Sequence, residues 1–116
     1  MLAVIGAGTM GTGIAQVALE GGWDVVVFDT IPGAVDRARE RIRQGLTRRA
    51  EKAGDPNATA TASARIARLG TAATIEAAAS GAQLVIEAAL EDLELKQQLF
   101  RELDAAAPAE TILATN

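Results

Sequence analysis

The chain has 116 residues, 49% of them hydrophobic, a formal net charge of −4, and neither cysteine nor histidine. That length allows one domain with a real core. The missing cysteines exclude a disulfide framework and a thiolate metal site, and the missing histidines remove the commonest general base and the commonest transition-metal ligand.

The first apolar run, Leu2-Ala3-Val4-Ile5, is too short for a helix and passes directly into Gly6-Ala7-Gly8-Thr9-Met10-Gly11. An apolar periodic segment follows, so a helix is expected from about Thr9 to Glu20, stopped by Gly21-Gly22. Strand, Gly-x-Gly-x-x-Gly turn and helix together form the context in which this glycine pattern binds a dinucleotide. Gly6 allows the tight turn, Gly8 lets a pyrophosphate approach the backbone, and Gly11 lets the helix lie close to the sheet. The phosphates would rest against free N–H groups at the positive end of the helix.

A second strand, Asp24 to Phe28, is β-branched and almost continuously apolar, as a strand covered on both faces should be. It runs into Asp29, eighteen residues after Gly11. That is close to the spacing at which this fold places the acid that receives the adenosine ribose hydroxyls. Thr30 and Ile31 offer no arginine for a 2′-phosphate, so NAD is expected over NADP. The plainer alternative for Asp29 is a turn residue ahead of Pro32.

Pro32 suits the first turn of a long helix reaching about Ala53, where Gly54-Asp55-Pro56-Asn57 ends it. Val35, Ala38, Ile42, Leu46 and Ala53 recur at helical spacing as its buried stripe. Arg37, Arg41, Gly45, Arg48 and Lys52 line up on a neighbouring face, either solvated or a groove for a phosphate-bearing substrate. From Asp36 to Lys52 there are seven bases against three acids, in an otherwise acidic chain. One basic helix on an acidic protein suits a local anion site better than general nucleic-acid binding.

Next come a short helix from about Ala58 to Arg68, a short edge strand within Leu69 to Ala73, and a brief helix capped by Thr74 and closed by Ser80-Gly81. Gln83 to Ala89 reads as a buried strand, with Glu87 toward the carboxyl edge where open α/β sheets bind ligands. A helix with Asp92 as N-cap should run to about Ala107, before Pro108. Its apolar face is Leu93, Leu99, Phe100, Leu103 and Ala107. Lys96 falls inside that stripe, at about 300° from Leu93 when each residue adds about 100°, and in the first turn, where the helix dipole disfavours a cation. A functional contact, snorkelling, or an ion pair with Asp92 would each account for it. Glu91 stands just ahead of the helix, toward the same cleft. Thr111 to Thr115 is the last strand. The fold expected is α/β: a Rossmann-type, doubly wound parallel sheet in the order 3-2-1-4-5, incomplete at its C-terminus.

Taken together, Val4 to Gly11, Gly13-Ile14-Ala15-Gln16, the strand ending at Asp29, Val85-Ile86-Glu87-Ala88, Glu91 to Lys96, Leu99-Phe100, Leu103-Asp104 and Ala114-Thr115-Asn116 resemble the NAD-binding domain of the L-3-hydroxyacyl-CoA dehydrogenases, over essentially the whole chain. The resemblance implies that Gly6, Ala7, Gly8, Thr9, Met10 and Gly11 form the pyrophosphate loop and that Asp29 is the ribose acid. It further implies that Glu91 and Lys96 contact NAD near its nicotinamide half. Lys52 matches a lysine that contacts coenzyme A, and Gly45 stands where a companion serine is common. The implied reaction is oxidation of an L-3-hydroxyacyl-CoA to the 3-ketoacyl-CoA by NAD⁺. The family's catalytic histidine has no counterpart here, and its helical C-terminal domain, used for dimerisation and closure, is absent. The chain is therefore expected to be a fragment without turnover, from a full-length homodimer of the cytoplasm, with no metal and no nucleic-acid or membrane partner. Two other readings remain: a non-catalytic NAD-binding module, and a related NAD-dependent β-hydroxyacid dehydrogenase. The Glu91–Lys96 spacing and Lys52 count against the second.

Overall fold

A computed structural model describes residues 1–88 and 92–115. In chain order its elements are β1 (Leu2–Ile5), α1 (Thr9–Glu20), β2 (Val25–Phe28), α2 (Ala34–Lys52), α3 (Ala58–Ile66), β3 (Leu69–Thr71), α4 (Ile75–Ala79), β4 (Leu84–Glu87), α5 (Leu93–Ala106) and β5 (Ile112–Thr115). The five strands form one sheet in the order β3-β2-β1-β4-β5, and every pairing is parallel. This is the expected doubly wound order.

The strand sequences dictate why both faces are covered. Successive side chains on a strand point to opposite faces. Leu2, Val4, Val25 and Val27 pack with α1, α2 and α3 in one core, while Ala3, Ile5, Val26 and Phe28 pack with α4 and α5 in the other. All four residues of β1 are buried, which is why its alternation is invisible in the sequence. β5 differs. Leu113 packs into the second core, but Ile112 is 65% exposed at the edge of the sheet.

Several boundaries and faces depart from the sequence expectation. Pro32 does not enter α2. It occupies the second position of a turn closed by the Ala34 amide donating to the Ile31 carbonyl, at 3.1 Å. Gly33 takes φ 77° and ψ −6° in the third position, the pairing of proline and left-handed glycine that a type II turn requires. The buried stripe of α2 is Ala34, Ala38, Ile42, Gly45, Leu46 and Ala50, with Val35 half-buried and Ala53 exposed. Gly45 therefore leaves the basic face, because α1 packs on α2 there and the Gln16 amide occupies the space beside it. A Cβ on Gly45 would overlap the Gln16 amide. Asp24 lies before β2 and pairs with Arg68 at 2.9 Å. On α5, Leu99 and Leu103 are buried but Leu93, at the first turn, is 69% exposed.

The helix starts follow local chemistry. Thr74 accepts the Ala77 amide hydrogen at 3.0 Å to cap α4. Asp92 Oδ1 accepts from the Glu94 and Leu95 amides at 2.9 and 3.2 Å to cap α5. Among the described residues no helix is long and apolar enough to cross a membrane.

Candidate functional site

The site begins where β1 ends. The Gly6 amide donates to the Phe28 carbonyl at 2.8 Å, continuing the β1–β2 pairing one step past Ile5. The backbone then turns with Gly6 at φ 115°, a conformation that L side chains rarely adopt. Helix α1 starts three residues later and returns directly over the turn. A Cβ on Gly11 would overlap the Gly6 carbonyl oxygen and lie 3.4 Å from Val4. Gly8 is the reverse case: a Cβ there would meet no atom within 4 Å, so it faces open space. Gly6 and Ala7 are buried, and Gly8, Thr9 and Met10 are exposed. Glycine is thus required by the fold at positions 6 and 11. At position 8 the fold leaves open space.

The electrostatics of the same turn favour an anion. Helix α1 has no side-chain N-cap and no acidic residue in its first turn. The first-turn N–H groups of a helix have no intrahelical acceptor, and the aligned peptide dipoles place partial positive charge at that end. A phosphate supplies what both features lack. The site fits a dinucleotide on this structural ground.

Asp29 extends the site from β2. Its Oδ2 accepts the Ala7 amide hydrogen at 2.8 Å, and its Oδ1 accepts that of Ile31, also at 2.8 Å. The carboxylate bridges the glycine loop and the turn before α2. A small cavity of about 80 Å³ opens beside it, lined by Gly6, Phe28, Asp29, Thr30, Ile75 and Leu99. Ile75 and Leu99 come to this cavity from α4 and α5; Leu99 reads in sequence as part of the apolar face of α5, and nothing in the sequence marks Ile75. A larger apolar groove of about 760 Å³ runs along the flank of α1 instead, between Met10, Val17, Trp23 and Ile86.

Lys96 projects from α5 to the end of β4. Its Nζ lies 3.0 Å from Glu87 Oε1, and the Thr115 hydroxyl donates to the same oxygen at 2.8 Å. The misplaced lysine is thus paired with the end of β4, while Asp92, one of the alternatives the sequence left open for it, caps the helix instead. The signal in the sequence was an acid closing an apolar strand just ahead of a helix with a lysine in its first turn. Glu91 and Asn116 lie outside the described residues. Lys52 is exposed at the C-terminal end of α2, two turns beyond the buried Gly45. The structure therefore brings Gly6 to Gly11 and Asp29 together, sets Lys96 against Glu87 on the neighbouring strand, and leaves Lys52 on a separate helix end. Among the described residues no cluster of acids could hold a metal ion.

Comparison with known proteins shows the family. The model for the 3-hydroxyacyl-CoA dehydrogenase, NAD binding domain, matches residues 1–116. A probable 3-hydroxybutyryl-CoA dehydrogenase of Bacillus subtilis is 41% identical over 113 residues, which cover 97% of this chain and 38% of that protein. The 3-hydroxyadipyl-CoA dehydrogenase of Escherichia coli is 43% identical over 115 residues, covering 99% of this chain and 24% of the relative. The crystal structure of a 3-hydroxybutyryl-CoA dehydrogenase from Escherichia coli superposes with a TM-score of 0.89 at 40% identity, over 100% of this chain and 24% of that one. The chain thus spans less than half the length of these relatives. With the glycine turn, the acid and the parallel sheet in place, the chain belongs to the NAD-binding domain family of the 3-hydroxyacyl-CoA dehydrogenases.

Proposed function

We propose that this domain is the cofactor-binding part of an enzyme that oxidises an L-3-hydroxyacyl-CoA to the 3-ketoacyl-CoA. The observation that carries the reading is the joining of Asp29 to the glycine turn through the Ala7 amide, at the open N-terminus of α1. In this reading Gly6 to Gly11 receive the pyrophosphate, Asp29 the adenosine ribose, and Glu91 and Lys96 the nicotinamide half. NAD⁺, when bound, supplies the hydride acceptor. The chain's own residues orient it. The turn presents N–H donors to the phosphates, and Asp29, already fixed by two amides, presents its remaining lone pairs to hydroxyl groups.

The substrate reading rests on the CoA-linked names of the relatives and on the basic side of α2. Arg37, Arg41, Arg48 and Lys52 are all exposed. Lys52 is the residue assigned to the CoA phosphates. Gly45 contributes space and no polar group, and the Gln16 amide lies over it. No histidine stands among the 116 residues, so the histidine base that the family resemblance implies is not among them, and in this reading these residues bind and orient.

Titration of the chain with NAD, NADP and coenzyme A tests the reading. NAD should bind in preference to NADP, and Lys52→Ala should weaken coenzyme A while leaving NAD unchanged. Equal affinity for NAD and NADP would remove the Asp29 assignment. Coenzyme A binding that ignores Lys52 would remove the substrate assignment. Oxidation of 3-hydroxybutyryl-CoA by the chain alone should be undetectable, and turnover would refute the placement of the base.

A further inference from the structure

Glu87 is 1% exposed, the one buried acidic residue among the described residues. A buried carboxylate is tolerated only when it is paired and hydrogen-bonded. Among the described residues it is joined by partners from different elements, Lys96 on α5 at 3.0 Å and Thr115 on β5 at 2.8 Å. Its place in the sheet is equally specific. Glu87 is the last residue of β4 and stands in register with Ile5, the residue before Gly6. The next amide, that of Ala88, donates to the Ile5 carbonyl at 2.9 Å. Strand order reverses between β1 and β4, so this pair of strand ends is the topological switch point, where open α/β sheets bind their ligands.

From this placement we infer that Glu87 is a positioning residue: it holds the Lys96 ammonium at the carboxyl end of β4, the strand next to β1, and Thr115 holds Glu87. Lysine carries a flexible four-carbon stem. In the first turn of α5 it would otherwise be repelled by the helix dipole and turn toward solvent. The side chain of Lys96 is instead 22% exposed, with its head group drawn inward to a buried carboxylate on β4, which is paired on both sides by β1 and β5. A neutral residue at 87 would leave the glycine turn and Asp29 as they are and would remove the charge that draws the lysine to the end of β4. The inference rests on the reading of Lys96 as a contact to the nicotinamide half of NAD.

The experiment compares NAD with ADP, which shares the adenosine and pyrophosphate but lacks the nicotinamide half. Glu87→Gln should weaken NAD about tenfold, the scale of one charge-assisted hydrogen bond, and leave ADP within about twofold. Lys96→Met should weaken NAD to a similar extent, and adding Glu87→Gln to it should cost nothing further. Equal losses for ADP and NAD in Glu87→Gln, or additive losses in the double variant, would overturn the positioning role. An unchanged NAD affinity in Lys96→Met would instead overturn the reading of Lys96 itself. Should Glu87→Gln not fold, Thr115→Val reports on the same arrangement. It should weaken NAD about threefold with ADP unchanged, and a Thr115→Val chain that binds NAD normally would refute the inference.

Discussion

Asp29 and Ala7 are twenty-two residues apart in sequence, and the Asp29 Oδ2 accepts the Ala7 amide hydrogen at 2.8 Å. The acid expected to receive a ribose is therefore also a structural part of the phosphate turn. Asp29→Asn keeps the shape but loses the charge and one acceptor oxygen. NAD affinity should fall by about ten- to a hundredfold, given about 1.5–3 kcal/mol for hydrogen bonds to a charged group. Thermal stability should fall as well, because the Ala7 and Ile31 amides share that carboxylate. Calorimetric titration and a melting curve on the same sample check both. A variant that lost affinity with no change in melting would place the Ala7 bond outside the stability of the turn.

Two glycines on α1 should respond in opposite directions to the same change. Gly11→Ala drives a methyl into the Gly6 carbonyl, which is backbone and cannot rotate away. The cost should be at least the roughly 1–3 kcal/mol of overpacking, with loss of NAD binding as the turn is displaced. Gly13→Ala meets nothing within 4 Å and lies inside the helix. It should gain about 0.5–1 kcal/mol from helix propensity alone. Urea denaturation of the two variants measures the contrast.

Removing Lys96 leaves the Glu87 carboxylate buried without its cation. Lys96→Met should destabilise the chain by about 3 kcal/mol, the lower end for a broken buried pair, since the lysine is itself partly exposed. Lys96→Met with Glu87→Leu removes both charges and should recover most of that loss. A double variant no more stable than Lys96→Met would show that the pair is not what the single change disrupts.

Asp55 supports the start of α3. Its carboxylate accepts hydrogen bonds from the Thr61 hydroxyl and the Asn57 amide, and these hold its pKa below the usual 3.8. A depressed carboxylate stabilises the fold above its unfolded pKa and loses that contribution as pH falls through the folded value. Thr61→Val removes the larger cause. The variant should be less stable than the parent at neutral pH, and the difference should shrink as pH drops below about 3.8. A difference that grew in acid would reverse the assignment.

Much of the fold was legible because each signal was local. Gly6 to Gly11, the β-branched β2, and the caps Thr74 and Asp92 act within a few residues of chain, where periodicity and hydrogen-bonding chemistry are sufficient. The strand order then followed from handedness and from the alternation of strands with helices. Pro32 misled because proline suits both the first turn of a helix and the second position of a turn, and only Gly33 at positive φ separates the two.

What the sequence by itself determined is the set of elements, their parallel order, and the identity of the dinucleotide turn. These depend on side-chain size, turn chemistry and period. Tertiary structure alone decided the pairings: Asp29 with Ala7, Glu87 with Lys96 and Thr115, Gly45 beneath Gln16. Each joins residues on different elements, and the distance between them is set by how the sheet and helices pack. A charge on a helix carries no mark of which distant group it will meet. For Lys96 the sequence showed a cation in an unfavourable place, and the packing of α5 against the sheet supplied the buried carboxylate that explains it.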